Sequence, residues 1–207
     1  MVRLGQKPAL IVIDMQNGFC DPGGFMNKIG LDYTTSAEAI EPISRLLAAA
    51  RRAGIPIFFT RYSLNADYSD AGLLLDLFPA IKEAGGMIRG TWDADIVDGL
   101  APLDGEHVID KTRYSAFYDT DLERQLREPG VDTLIVCGVT TNICVESTVR
   151  DAFFRDIHVI VPSDGTAAVT PELHEGALRD FEYGFGQVAT VAELEEALAS
   201  LPQAVAR

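Results

Sequence analysis

Three reactive side chains stand just past runs of residues that favour β-strands. Asp14 and Lys111 each follow such a run directly, and Cys144 comes a few residues after a third run. In open α/β sheets, ligands and catalytic groups gather at the carboxyl ends of the strands. A carboxylate, an ammonium group and a thiol at one sheet edge indicate covalent catalysis with the sulfur as nucleophile.

The position of Cys144 predicts how it would be activated. It falls in the first turn of a predicted helix that the chain enters through residues 140–142. Free amides at a helix N-terminus and the ammonium of Lys111 both favour a thiolate over a thiol. Asp14 would move a proton between the sulfur, the leaving amine and water. Backbone N–H groups of the turn at 138–141 would hold an oxyanion.

Each of these residues also has a purely structural interpretation. A free cysteine in an apolar segment is usually a small core residue, and position alone supports both roles for Cys144 equally. Lys111 fits a solvated lysine at a strand end, and Asp14 fits a turn or cap residue. Cys137 lies within a strand, and Cys20 lies in a loop without a motif. A catalytically idle α/β binding module therefore stays open at this point.

The elements that would position the three groups alternate along the chain. Short β-rich runs are separated by amphipathic stretches, which is typical of a parallel sheet with helices on both faces. Two of the runs are continuously apolar, as expected of central strands that are buried on both faces. The predicted strands are 9–13, 55–60, 107–110, 133–139 and 157–161.

Helix start signals stand between these strands. Capping boxes begin at Thr120 and Thr190, because each threonine is followed three positions later by a glutamate. Thr170 followed by Pro171 is a further start. The predicted helices are 36–53, with Pro42 marking a kink or a late start, and 121–127, 142–155, 170–181 and 191–199.

The stretch 61–103 is the least regular part of the chain. It holds a short helical pattern at 73–82 and the single tryptophan, Trp92. In an α/β protein such an excursion usually covers the mouth of the site. No repeat, low-complexity segment or linker divides the chain, so we expect residues 1–207 to form one domain.

Composition excludes several classes of function. The chain has 31 acidic and 17 basic residues and a net charge of −14, which repels phosphate backbones and makes nucleic acid an unexpected partner. Its three cysteines are too few for a disulfide framework and fit a reducing compartment. The N-terminal apolar run is too short for a signal peptide or a membrane span. We therefore expect a cytoplasmic protein that does not bind membranes.

Three motifs, spread over nearly the whole chain, are similar to those of one known family. Together they resemble the isochorismatase-like cysteine hydrolases, in which they occur in the same order. The motifs are Asp14-Met15-Gln16-Asn17, Lys111 followed by Ser115-Ala116-Phe117, and Gly138-Val139-Thr140-Thr141-Asn142-Ile143-Cys144-Val145 followed by Thr148, Arg150 and Ala152.

The resemblance implies a fold and a catalytic role for each of the three reactive residues. The fold would be a three-layer αβα sandwich around a parallel sheet of about six strands. Asp14, Lys111 and Cys144 would form a catalytic triad in which Cys144 attacks a carbonyl and Asp14 is the general acid and base. A cis peptide before Thr140 would help to shape an oxyanion hole formed by Thr140 and Cys144. Relatives of this kind are commonly homodimers or homotetramers, so we expect a homo-oligomer.

Within this family the sequence excludes some members. Isochorismatases that hydrolyse a vinyl ether lack the nucleophilic cysteine, whereas Cys144 is present here. Nicotinamidases carry an aspartate and two histidines as metal ligands after the second strand, where residues 60–67 contain no histidine. His107, His158 and His174 are scattered along the chain, so we expect no metal and no cofactor. A nicotinamidase-like enzyme with a different metal arrangement stays an alternative.

Three further segments indicate the substrate class. Residues 90–93, 111–117 and 144–151 are similar to the corresponding segments of the ureidoacrylate amidohydrolases, although the loop after the second strand differs. Substrates of that group carry a terminal ureido group and a carboxylate. The resemblance therefore implies hydrolysis of a C–N bond in a small amide, ureido or carbamoyl compound, with an acyl-Cys144 intermediate and release of ammonia.

Five residues are candidates for substrate contact. Arg61 would be the carboxylate anchor, because a guanidinium group binds carboxylates bidentately, but it also fits a solvated arginine at a strand end. Aromatic residues in loops serve as pocket walls or as loop packing. The candidates are Phe19, Arg61, Trp92, Tyr114 and Asn142.

Overall fold

A seven-stranded sheet forms the centre of the protein. The structure is a computed structural model, and it describes residues 2–201. The strands are β1 (Pro8–Ile13), β2 (Ile57–Tyr62), β3 (His107–Lys111), β4 (Thr133–Val139), β5 (His158–Pro162), β6 (Thr166–Ala167) and β7 (Gln187–Ala189). Their order is β3-β2-β1-β4-β5-β7, with β6 beside β4, and the pairs are parallel.

The two apolar runs are the central strands, as expected. Every residue of β1 and β4 is buried, because helices cover both faces of the sheet at this point. The register pairs Ala9 with Leu134 and Ile13 with Gly138. This register brings the carboxyl ends of β1 and β4 to the same edge, so that Asp14 and the segment leading to Cys144 start side by side.

Helices and turns connect the strands. The helix α4 packs against α10 and β1, whereas α8 and α9 pack against each other and against β4, β5 and β7. The helices are α1 (Asn17–Cys20), α2 (Phe25–Lys28), α3 (Thr34–Glu38), α4 (Ile40–Ala53), α5 (Leu74–Leu77), α6 (Ala80–Ala84), α7 (Leu122–Arg127), α8 (Glu146–Phe153), α9 (Pro171–Gly184) and α10 (Val191–Ala199), with 3₁₀ turns at Trp92–Ala94 and Asp98–Leu100 and a π-helical turn at Thr141–Val145.

The three-layer α/β fold class is confirmed, and all five predicted strands are present. The second strand begins two residues later than predicted, at Ile57, because Gly54 ends α4 in the left-handed conformation and Ile55 and Pro56 connect the two elements. The strands β6 and β7 were not predicted. They have two and three residues, which is too short to produce an alternating pattern.

Most helix starts agree with the sequence signals. Thr190 forms a complete capping box, and the Thr170 hydroxyl accepts a hydrogen bond from the N–H of Leu173. Pro42 lies in the first turn of α4, and the separate helix α3 precedes it, so the late start is confirmed. The helix predicted at 142–155 begins instead with the π-helical turn, and its α-helical part ends at Phe153.

The capping box predicted at Thr120 is wrong. Asp121 is the residue that precedes α7, and its side chain makes no capping bond, while the Thr120 hydroxyl accepts the N–H of Leu122 at 3.3 Å rather than that of Glu123. The Thr120 hydroxyl donates to the carbonyl oxygen of Ala116, and the Glu123 carboxylate binds Arg127 and Arg155. The intended partners are therefore occupied by other contacts.

The buried apolar side chains of the described residues form one continuous core around the sheet. The stretch 61–103 folds into the end of β2, the short helices α5 and α6 and both 3₁₀ turns. Between Val2 and Leu201, the helices are all too short or too polar to cross a lipid bilayer.

Candidate active site

Asp14 occupies the first position after β1, and its conformation is unusual. Its φ angle is 50°, in the left-handed region that residues with a Cβ rarely adopt. The side chain is completely buried. Thr60 on the neighbouring strand β2 donates its hydroxyl to Asp14 Oδ1 at 2.6 Å and accepts the Asp14 N–H at 3.1 Å. Two bonds to one hydroxyl thus fix both the backbone and the carboxylate of Asp14.

Lys111 is the last residue of β3, and it binds the other carboxylate oxygen. Its Nζ lies 2.6 Å from Asp14 Oδ2, and both side chains are fully buried. The ammonium also donates to the carbonyl oxygen of Arg113 at 3.0 Å and lies 4.3 Å from the centre of the Tyr62 ring. Buried charges persist where they are paired, and the ion pair gives each of these two charges its partner.

Cys144 lies inside the π-helical turn that follows β4. Turns of this kind are rare and are frequent at functional sites. Thr148, one turn later, donates its hydroxyl to the carbonyl oxygen of Cys144 at 2.8 Å and accepts the N–H of Ala116 at 3.1 Å. Thr148 therefore ties the cysteine turn to the segment that follows Lys111.

Burial decides the protonation state of Cys144. It raises the pKa of the Cys144 thiol to about 12, with Asp14 adding to the increase and Lys111 opposing it. The expectation of a resting thiolate is therefore wrong, because desolvation outweighs the ammonium and the helix terminus. Attack on a carbonyl requires a base for the thiol proton, and the adjacent carboxylate is Asp14.

The end of β4 approaches β1 unusually closely. Gly138 has a φ angle of 111°, and a Cβ at this position would lie 2.1 Å from the carbonyl oxygen of Ile13. Only glycine permits this approach. The peptide bond between Val139 and Thr140 is cis, as the resemblance implied.

Next to this peptide bond, the Thr141 hydroxyl and Nδ1 of His174 are hydrogen-bonded at 2.8 Å. Burial lowers the pKa of His174.

A cavity of about 260 Å³ opens onto Cys144. Three of the candidate substrate contacts, Phe19, Tyr114 and Asn142, line it together with Thr140. Most of its other wall residues are apolar. They are Phe25, Met26, Ile29, Leu31, Leu74, Phe78, Ile81, Met87, Ile143, Val169 and Leu173, and Tyr62 completes the lining.

Arg61 and Trp92 are not among the described residues that line this cavity. Successive side chains of a strand point to opposite faces, so Arg61 points away from the face that carries Thr60 and Tyr62. Its Nε donates to Asp110 Oδ1 at 2.8 Å. Trp92 lies in a 3₁₀ turn with half of its surface exposed, and its carbonyl oxygen accepts from Asn17.

Three residues that hold the site together were not predicted from the sequence to do so. They are Thr60, Tyr62 and Gln16. The buried amide of Gln16 donates to the carbonyl oxygens of Tyr62 and Ala94 and accepts the N–H of Tyr62 at 2.7 Å. It thus joins β2 to the 3₁₀ turn. The alternation of side chains in β2 was the available signal, since it places Thr60 and Tyr62 on one face.

Across residues 2–201, no group of three histidine, cysteine, aspartate or glutamate side chains could hold a metal ion.

Comparison with known proteins agrees with this geometry. The model of the isochorismatase domain matches residues 8–193. The ureidoacrylate amidohydrolase RutB of Methylorubrum extorquens is 41% identical over 92% of this chain and 82% of its own. A cysteine hydrolase from Pseudomonas syringae superposes with a TM-score of 0.86 at 35% identity, over 95% of this chain and 94% of the other. An isochorismatase family protein from Desulfovibrio vulgaris superposes with a TM-score of 0.83 at 36% identity, over 94% of this chain and 100% of the other.

The fold and the site thus define an α/β protein with a buried cysteine beside an aspartate–lysine ion pair, and the chain belongs to the isochorismatase family. Within that family it is an amidohydrolase, an enzyme that cleaves carbon–nitrogen bonds.

Proposed function

We propose that this enzyme hydrolyses a C–N bond of a small ureido, amide or carbamoyl compound through an acyl-Cys144 intermediate and releases ammonia. The observation that carries the proposal is the placement of the buried Cys144 thiol beside the carboxylate of Asp14 and in the wall of the cavity. The relatives named ureidoacrylate amidohydrolase support the ureido group as the reacting group.

The first half-reaction forms the covalent intermediate. Asp14 accepts the thiol proton while Cys144 Sγ attacks the carbonyl carbon, and backbone N–H groups of Thr140 and Cys144 hold the oxyanion. When the tetrahedral species collapses, the C–N bond breaks and Asp14 returns the proton to the leaving nitrogen, so that ammonia departs. The ammonium of Lys111 keeps Asp14 in place and balances its charge.

The second half-reaction restores the enzyme. Asp14 accepts a proton from water, the resulting hydroxide attacks the acyl carbon, and the C–S bond breaks with the proton returning to sulfur. For a ureido substrate the product is a carbamic acid, and for an amide it is a carboxylic acid. Phe19, Tyr114 and Asn142 line the cavity at Cys144 and are the substrate contacts in this proposal.

Ammonia release from a small panel tests the proposed reaction. The panel contains ureidoacrylate, biuret, N-carbamoyl amino acids, alkylureas and nicotinamide. We expect release from a ureido compound and a loss of at least about 10⁴-fold in kcat with Cys144→Ala, as is usual when a nucleophile is removed. The matched control is Cys20→Ala, another buried cysteine but outside the cavity lining, which should keep its activity.

Three outcomes would contradict the proposal. Turnover that persists in a folded Cys144→Ala protein would remove the nucleophile from its role. If the wild-type protein releases no ammonia from any compound of the panel, a catalytically idle binding module would be favoured. Activity that is lost on addition of a chelator would favour the nicotinamidase-like alternative instead.

We also make proposals about the domain organisation, the cellular location and the oligomeric state. We propose that residues 1–207 form one domain, supported by the continuous core that the described residues 2–201 share. We also propose that the enzyme works in the cytoplasm, supported by its three free cysteines. We also propose a homodimer or homotetramer, supported by the exposed aromatic side chains of Phe153, Phe154 and Tyr183. Light scattering after size-exclusion chromatography tests the assembly, and a monomeric mass would contradict it.

A further inference from the structure

The cavity at Cys144 has two chemically different parts. Its polar groups, those of Tyr62, Tyr114, Thr140 and Asn142, are few. The larger part of its wall is hydrocarbon and aromatic, contributed by α2 and the residues just after it, by α5 and α6, and by the start of α9. A ligand that reaches the thiol therefore has its remaining atoms against apolar side chains.

Cations are missing from this wall. Over the described residues 2–201, no lysine, arginine or histidine lines the cavity. The buried ammonium of Lys111 is bound to Asp14. The guanidinium of Arg113 donates to the carbonyl oxygens of Asp70 and Thr112. A net charge of −14 further disfavours an anionic ligand at long range.

One polar atom of the wall requires a donor. Oδ1 of Asn142 is buried and has no hydrogen-bond partner within the described part of the chain. A buried acceptor without a donor is costly, so a ligand that donates an N–H to it gains affinity. The N–H groups of a urea or a primary carboxamide meet this requirement.

We propose that the cavity selects uncharged ureas or primary carboxamides that carry an apolar substituent, in preference to ureido acids that carry a carboxylate. This inference rests on the function proposed above and names the substrate class of the same site. The ureido or amide group lies at Asn142 and Cys144, and the substituent lies against the apolar wall. A carboxylate in that position would be buried without a cation, which is strongly unfavourable.

Binding to the Cys144→Ala protein tests the preference without turnover. The two matched ligands are 3-ureidopropanoate and (3-methylbutyl)urea, which differ in a carboxylate against an isopropyl group. We expect the neutral urea to bind at least about 30-fold more tightly, and affinity to rise about fourfold for each methylene from propylurea to pentylurea. Equal or tighter binding of the ureido acid, or no binding of either ligand, would overturn the inference.

A substitution at the cavity mouth tests where the substituent lies. Leu173 lines the cavity and is 43% exposed, so Leu173→Arg adds a cation to the wall without burying it. We expect this variant to reduce the preference for the neutral ligand about tenfold. The control is Leu103→Arg, at a leucine that is 56% exposed and outside the lining, which should leave the preference unchanged. Equal behaviour of the two variants would overturn the placement.

The two proposals fail in different ways. If (3-methylbutyl)urea binds preferentially but the wild-type protein hydrolyses no member of the panel, the proposed reaction is wrong while the selectivity of the cavity holds. If a ureido acid is hydrolysed and also binds more tightly than its neutral partner, the proposed reaction holds and the selectivity is wrong.

Discussion

Nζ of Lys111 lies 2.6 Å from Oδ2 of Asp14, and neither side chain is exposed to solvent. Removing two charges from water is costly, and apolar residues of similar volume are often at least as stabilising as a buried ion pair. The proposed reaction therefore explains the pair better than the fold does. The ammonium of Lys111 offsets the cost of burying the Asp14 carboxylate in a place where an isolated carboxylate would be strongly disfavoured.

Loss of the ammonium alone should destabilise the protein. Lys111→Met leaves the Asp14 carboxylate buried without its counter-ion, so we expect the free energy of unfolding to fall by about 3–5 kcal/mol. Urea denaturation measures this change. The control is Lys28→Met, at an exposed lysine, which should change stability by no more than about 0.5 kcal/mol. A loss below about 1 kcal/mol at Lys111 would show that the pair is not buried as described.

Thr60 should matter for catalysis although it does not line the cavity. Thr60→Val removes both hydrogen bonds to Asp14 and leaves its N–H without a partner, at a cost of about 1–3 kcal/mol in stability. We expect kcat to fall by about 10–100-fold, because the carboxylate that moves the proton loses its orientation. Thr60→Ser keeps the hydroxyl and should retain most of the activity. Equal kcat values for the two variants would contradict this role.

The reactivity of Cys144 should depend on pH in a characteristic way. Burial raises the pKa of its thiol to about 12, so the thiolate fraction increases about tenfold with each pH unit below that value. We expect the rate of carbamidomethylation at Cys144, followed by peptide mass spectrometry, to rise from pH 7 to pH 10 without levelling off. A free small-molecule thiol should level off above roughly pH 9. A plateau for Cys144 below pH 8 would indicate a resting thiolate.

The sequence was informative where a residue directly follows a buried strand. Asp14 and Lys111 could be predicted because apolar or strand-forming runs mark where β1 and β3 end. Arg61 and Thr60 show the limit of this reasoning. Alternation shows that they point to opposite faces of β2, but the face that meets Asp14 depends on the pairing of β2 with β1. Tertiary structure decides that question.

The composition of the cavity wall and the depth at which Cys144 is buried could not be predicted from the sequence either. The cavity wall combines residues from α2, α5, α6 and α9, which are far apart in the chain and follow no common pattern. The protonation state of Cys144 depends on how completely these segments cover it. The helix-terminus argument, which uses local sequence alone, therefore favoured the wrong form.

The pairing of β1 with β4 has a consequence for how the protein is made. Ala9 pairs with Leu134, so a ribosome that adds about 5–20 residues per second needs roughly 6–25 s between the two strands. Until then the nascent β1, apolar on both faces, lacks one of its neighbours and is exposed to aggregation or chaperone binding. Cys144 emerges after β4 and after both Asp14 and Lys111. Cys144 is thus synthesised after the strands β1 to β4 but before β6 and α9, which also contact the turn that carries it.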